Sequence, residues 1–541
     1  MIKKLSVLLI FFNLLVAQPD SRFEAFDWTL YRQTGQINSI SEGYTYAYFA
    51  TEWAGILRYN LYQNRFDEPI TTAQGLSDNQ INAVHFDQDT GILWAATYGF
   101  IEFSYNGQGD WFNIDLSDYG LYRNTRIVRI GSTVNFVWID AEYVFLKLDK
   151  ASGIMLGFLP QPDEQNIDWS SSNDLIFELP PKLRDYVLTG GWIYNYSQFI
   201  DPVGNFRTPT TYFFGKYNRS FIGLDDGTIL LGDQQMETFS PLIFGLNNLN
   251  ITAFTKDENM WVVGKNYFVT KGITKYNFNR GEFQHVDFAS EINLNPRSFY
   301  SVLETNEEVW LGSDIIVAIY NKEDGYWREI GEVQGLPHGK VISMAEDSVA
   351  IWVGTTQGLC KISMISKRAE FSEIQKILGF QSINELKIVE GDLWIATDYY
   401  LLIYNQKKNK LINFKDFGNT LKIDKRKDIF NNFTALYKYN DEIYIATENG
   451  ILCYNFKSKE WNVAVEPSAY AGSNVNSLII DQNYCFIGTD QGLWQINLEG
   501  GTSQLFDFAF IGSVQDLYIQ DSTLLIGSKN GLIKYLWKKN L

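Results

Sequence analysis

Cysteine and histidine are scarce in this 541-residue sequence, with three of each. Cys360, Cys453 and Cys485 fall on stretches that read as strands, where they pack as small apolar residues; a disulfide framework is not expected. His85, His285 and His338 are scattered without paired spacing, which argues against a His-based metal site. No Gly-x-Ser-x-Gly elbow, His-Glu-x-x-His or Walker phrase occurs, so neither a catalytic residue nor a cofactor is expected. Basic residues are outnumbered, 45 against 63, and the net charge of -18 makes nucleic acid a poor partner. One long apolar run exists, from Leu5 to Ala17, preceded by Lys3 and Lys4 and broken by Gln18-Pro19-Asp20. It is too short to span a bilayer and reads as a signal peptide over residues 1–17, which places the mature chain in the periplasm or at the cell surface. No cysteine follows the run, so a lipid anchor is not expected, and no second run suggests a membrane span.

What the sequence has in abundance is repetition. A phrase of aromatic, apolar, Gly or Ala, Thr or Ser, two variable residues, Gly, then Leu or Ile recurs at Trp94, Trp310, Trp352, Trp394, Tyr444, Phe486 and Leu525. Weaker copies begin at Tyr48, Trp138, Phe221 and Trp261. A period of about 40 to 45 residues built from short strands is that of β-propeller blades. The phrase alternates large and small residues, as a strand packed between two neighbouring sheets requires. Its first Gly or Ala lets blades approach closely, and its second Gly sits where a hairpin needs a positive φ. The expected fold is all-β, with about twelve blades in two tandem propellers of 6+6 or 5+7. The expected division is 18–265 for the first, irregular over 150–215, and 266–541 for the second.

Six of the 12 prolines fall between residues 160 and 209, among aromatic residues that lie outside the blade phrase. Proline denies donors to a ladder, so long loops are expected here. Trp169, Trp192, Tyr194 and Tyr196 are the candidate ligand-binding residues, because exposed aromatic rings stack on sugars or anchor protein interfaces. Asp87-Gln88-Asp89-Thr90-Gly91 matches most of an Asp-box; Asp89 is expected to hydrogen-bond its own turn. Arg123, Arg126 and Arg129 crowd one inter-blade segment and read as a solvated or inter-blade face.

Gln74-Gly75-Leu76-Ser77-Asp78-Asn79-Gln80-Ile81-Asn82-Ala83-Val84, running on to Trp94-Ala95-Ala96-Thr97, resembles the two-component-regulator propeller repeat. Gln334-Gly335-Leu336 through Trp352-Val353-Gly354-Thr355 is a second copy. The resemblance implies paired propellers outside the cytoplasm, as in hybrid sensor ectodomains associated with glycan sensing and in a surface component of type IX secretion. The sequence carries no kinase and no immunoglobulin-like module after the repeats, so fold and compartment transfer and role does not. The expectation is a non-enzymatic binding propeller presenting loops to a protein or glycan of the envelope. A detached glycan-sensing module is the alternative, and a propeller lyase or glycosidase the second.

Overall fold

The computed structural model describes residues 24–107, 109–173, 179–265, 272–288, 297–370 and 372–540. The signal peptide expected over residues 1–17 lies outside them. The described residues form twelve sheets, nine of four strands, two of five and one of three. They are arranged as tandem β-propellers, five sheets in one and seven in the other.

The seven-bladed ring is the regular one. Its inner strands are Asn250–Phe254, Phe299–Glu304, Val341–Glu346, Ile383–Val389, Ala435–Tyr439, Val475–Asp481 and Val514–Gln520. Each packs against the next, and the last returns to the first. The final three strands of the chain leave an open edge on Gly531–Tyr535, and an unpaired edge demands a partner. That partner is Trp28–Tyr31, which pairs antiparallel with it. Trp28 is fully buried and stacks on Tyr535 with centroids 3.8 Å apart. The described residues therefore begin in the larger ring, leave to build the smaller, and come back.

This corrects the expected division. Residues 28–31 belong with the C-terminal strands, and a boundary after residue 265 would cut between Asn259–Lys265 and Gly272–Asn277, which pair in one sheet. The repeat phrase hid this because the closing strand lies outside it.

The smaller ring has four regular blades whose inner strands are Ile37–Glu42, Ala83–Phe86, Arg129–Ser132 and Pro209–Phe214. The fifth sheet is a three-stranded flap of Ile193–Asn195, Gln198–Ile200 and Phe206–Arg207, which lies against the last blade. Phe199 of the flap and Trp192 just before it pack with Leu183 of the helical turn Pro181–Arg184 and with Ile222 and Leu230 of the last blade. Tyr31, Phe66, Tyr276 and Phe283 meet in an apolar cluster shared by the two rings.

The physics of the phrase holds in three dimensions. Trp94, Trp310, Trp352 and Trp394 are buried, as their shared blade position predicts. A Cβ on Gly354 would sit 2.6 Å from Cγ2 of Ile383 in the next blade, so the first glycine is a spacing device. The second glycine adopts φ of 125° to 140° at Gly450, Gly492 and Gly531, which L side chains rarely adopt. Cys360, Cys453 and Cys485 are free and buried.

Candidate ligand-binding channel

In six of the seven larger-ring blades, register shifts where the inner strand carries one extra residue: Thr252, Tyr300, Ile342, Asn384, Asn476 and Gln515. A bulge in a strand re-aims one side chain out of the ladder. Here the side chains link blades: Thr252 Oγ1 donates to Phe299 O at 2.7 Å, Asn384 Nδ2 to Phe433 O at 3.0 Å, and Asn476 Nδ2 to Val514 O at 3.0 Å. Together with Thr434 of the remaining blade, these residues collar one end of a central cavity of about 1010 Å³, lined by the inner strands of all seven blades.

One residue further along, five blades carry Ala253, Ser301, Ser343, Ala435 or Ser477, and two carry carboxylates, Glu385 and Asp516. Asp516 is engaged: its Oδ2 accepts Phe254 N at 3.2 Å, its Oδ1 accepts Leu517 N at 2.9 Å, and Lys256 lies 3.8 Å away. Glu385 is half-buried in the wall. Loss of hydration there pushes its carboxyl up to about 7, against the pull of Lys387. The same desolvation brings Lys387 down to about 8, with Lys256 adding repulsion. Lys387 Nζ donates to Leu436 O at 3.3 Å and lies 5.4 Å from the Tyr437 ring. The channel thus brings together carboxylates, amines and phenols from blades far apart in sequence. Sequence reasoning missed these residues, although two acids among five small residues at one repeat position were a readable signal.

The expected aromatic residues do not share a surface. Trp192 is 8 % exposed and belongs to the core beneath the flap, and Tyr194 packs against it while its hydroxyl donates to Tyr196 O. This corrects Trp192 as a ligand contact: apolar neighbours enclose its ring. Trp169 is half-buried, pairs with Gly131 and lies under the Arg129 guanidinium at 4.4 Å. Tyr196 alone of the four is fully open, 89 % exposed at φ 54°. The described residues of the proline-rich stretch form short strands and one helical turn, and they also enter the axis of the smaller ring. There Ser171 N donates to Ile40 O at 2.9 Å, Ser171 Oγ accepts Ile40 N at 2.7 Å and is hydrogen-bonded to Thr211 Oγ1 at 2.7 Å, and Asn173 Nδ2 donates to Asn82 O at 3.2 Å.

The Asp-box differs from expectation too. Asp87 bonds the turn, accepting Thr90 N at 3.0 Å, while Asp89 pairs with Lys150 at 3.0 Å. Asp87 also accepts Ser132 Oγ at 2.8 Å and meets Lys150 at 2.7 Å, and His85 Nε2 lies 2.9 Å from the same hydroxyl. Since Ser132 donates to Asp87, His85 Nε2 must donate to Ser132 and cannot act as its base. Burial pushes His85 down to about 4. All four groups are buried, and they clamp two blades together.

No family model and no curated protein matches the chain. Among solved structures, its fold is similar to the extracellular domain described as that of a one component system of B. thetaiotaomicron, at 14% identity over 92% of this chain and 69% of that one, with a TM-score of 0.43. A second extracellular domain from that organism, described as that of a hybrid two component system, shares 16% identity over 91% of this chain and 73% of that one, with a TM-score of 0.40. PorZ, a surface component of the type-IX secretion system of Porphyromonas gingivalis, shares 11% identity over 94% of this chain and 87% of it, with a TM-score of 0.36.

Proposed function

We propose that the protein is an exported, non-enzymatic β-propeller that binds a protein or glycan partner of the cell envelope in the channel of its seven-bladed ring. The observation that supports this reading is the open cavity of about 1010 Å³, of ligand size, with Tyr300, Glu385, Lys387 and Tyr437 on its wall. Glycoside hydrolysis uses two carboxylates in separate roles. Here Asp516 Oδ2 accepts Phe254 N of the neighbouring blade, which suits it to holding blades together. A glycan-sensing role, acting with a separate receptor, would use the same channel and differ only in partner.

The test is capture from envelope extract and a glycan array, using wild type and a Tyr300→Ala, Lys387→Gln double variant that melts normally. Loss of the captured partner or glycan is expected. Unchanged capture would move recognition to the flap, where Ile193, Tyr196 and Phe206 stand exposed on one three-stranded sheet.

A further inference from the structure

The overall negative charge conceals a local reversal. Residues 405–428 carry eight Lys or Arg against three Asp, in a chain whose net charge is -18. The stretch begins at the end of the third strand of the blade of residues 383–413 and runs into the connection to Ala435, the start of the next inner strand. That connection is far longer than the one between Val465 and Val475, or between Phe506 and Val514. Long connections inside a compact repeat commonly serve function.

Its body is fixed. Asn419 N donates to Lys459 O at 2.7 Å, Trp461 N to Asn419 O at 3.0 Å and Trp461 Nε1 to Phe417 O at 2.6 Å. Phe414, Ile423, Phe430 and Phe433 are buried beneath it. The loop therefore covers the outer edge of Glu460–Val465 on the rim of the ring, which is a structural role in itself.

Edge cover does not require the charge it carries. Lys415, Lys422, Arg426 and Lys427 pair with Asp428, Glu460, Glu466 and Asp424. Lys407, Lys408, Lys410 and Lys425 are exposed and make no ion pair among the described residues, with Asp392 the carboxylate in electrostatic reach of Lys407 and Lys408. Leu421 stands among these basic residues in sequence and is 76 % exposed, and Ile429, just beyond them, is 48 % exposed. Seven of the eight basic residues are lysine. Lysine is depleted at protein interfaces, where Arg and aromatic residues dominate, and it acts as a point charge toward diffuse anionic surfaces. Lysines interleaved with protruding aliphatic side chains are the chemistry of peripheral attachment to anionic lipid.

We propose that this rim is a docking surface for an anionic lipid bilayer, with the unpaired lysines meeting headgroup phosphates and Leu421 entering the interface. The inference goes beyond the channel reading and does not rest on it, since none of its residues lines the channel.

The experiment is co-sedimentation of the full chain with phosphatidylcholine vesicles, with and without phosphatidylglycerol. Binding is expected only with phosphatidylglycerol present, and it should weaken as salt is added. Replacing Lys407, Lys408, Lys410 and Lys425 together by Gln should weaken it about tenfold or more, and Leu421→Ser severalfold. The salt series on wild type tests the charge dependence even if the quadruple variant melts early. Equal binding to both vesicles, none to phosphatidylglycerol, insensitivity to salt, or a folded quadruple variant indistinguishable from wild type would each overturn the proposal. Retention on immobilised polyglutamate without vesicle binding would also overturn it and assign the rim to an acidic protein.

Discussion

The two rings close around their axes in different ways. In the larger, seven inner strands reach one another directly, bulge residues such as Asn384 and Asn476 link blade to blade, and the axis stays open. In the smaller, four regular blades and a flap leave a gap between Arg129–Ser132 and Pro209–Phe214, and the chain itself fills it with residues 168–173. Irregular sequence therefore marks the filled ring, whereas the cavity lies within the most regular repeats. An expectation that function sits where the period breaks, reasonable for loops on a scaffold, does not hold when the break is needed to complete the scaffold.

The sharpest way to break the comparison is to remove residues 24–31. Although they are N-terminal, the ring that should fail is the C-terminal one, since a ring with an open edge loses cooperative stability. Melting and limited proteolysis should show loss of the larger ring's transition; a shortened chain with the full wild-type transition would refute closure by Trp28–Tyr31. Trp28→Ala is the milder version. Its ring is fully buried against Tyr535 and Phe506, so a loss of about 3 to 5 kcal/mol is expected by denaturant unfolding. Trp352→Ala, at the repeat position, should cost a similar amount.

Much of this was legible in the residues. The phrase around Trp352, Trp394 and Phe486 encodes blade number, burial and turn conformation because each is a local demand on one or two positions. The role of Trp28 was not legible, because a closing strand needs only a compatible edge some 500 residues away. Trp192 and Tyr196 look alike in sequence, and only the packing of the flap makes one core and the other surface. The channel charges were partly visible: Glu385 and Asp516 stand where other repeats have Ser or Ala, but which oxygens remain open depends on the neighbouring blade.

A smaller effect tests the filled axis. Ser171 Oγ is buried, accepts Ile40 N and is hydrogen-bonded to Thr211 Oγ1. Ser171→Ala leaves Ile40 N without that partner and should destabilise the smaller ring by about 1 to 3 kcal/mol. The equivalent removal of one hydroxyl from the larger ring's wall, Ser477→Ala, should change stability by a few tenths of a kcal/mol, within the range of substitutions that break no buried bond. Two equal responses in chemical denaturation would erase the contrast between a filled and an open axis.

The smallest effect concerns pH in the open channel. Glu385 is held up to about 7 by desolvation, so between its unfolded value near 4.5 and 7 the folded state binds more protons than the unfolded state. Stability therefore falls as pH rises through that window. Lys387 is held down to about 8 from 10.5, so above 8 the unfolded state holds the extra proton and stability rises again toward 10.5. The two shifts together predict a shallow stability minimum near pH 7 to 8, where both side chains are charged. Water in the channel screens both groups and keeps the minimum shallow. Melting temperature followed from pH 5 to 7 should decline in wild type more than in Glu385→Gln, which has no proton to lose. Identical slopes in the two proteins would mean that Glu385 titrates as an ordinary carboxylate, and the channel would then be no less hydrated than the outer surface of the ring.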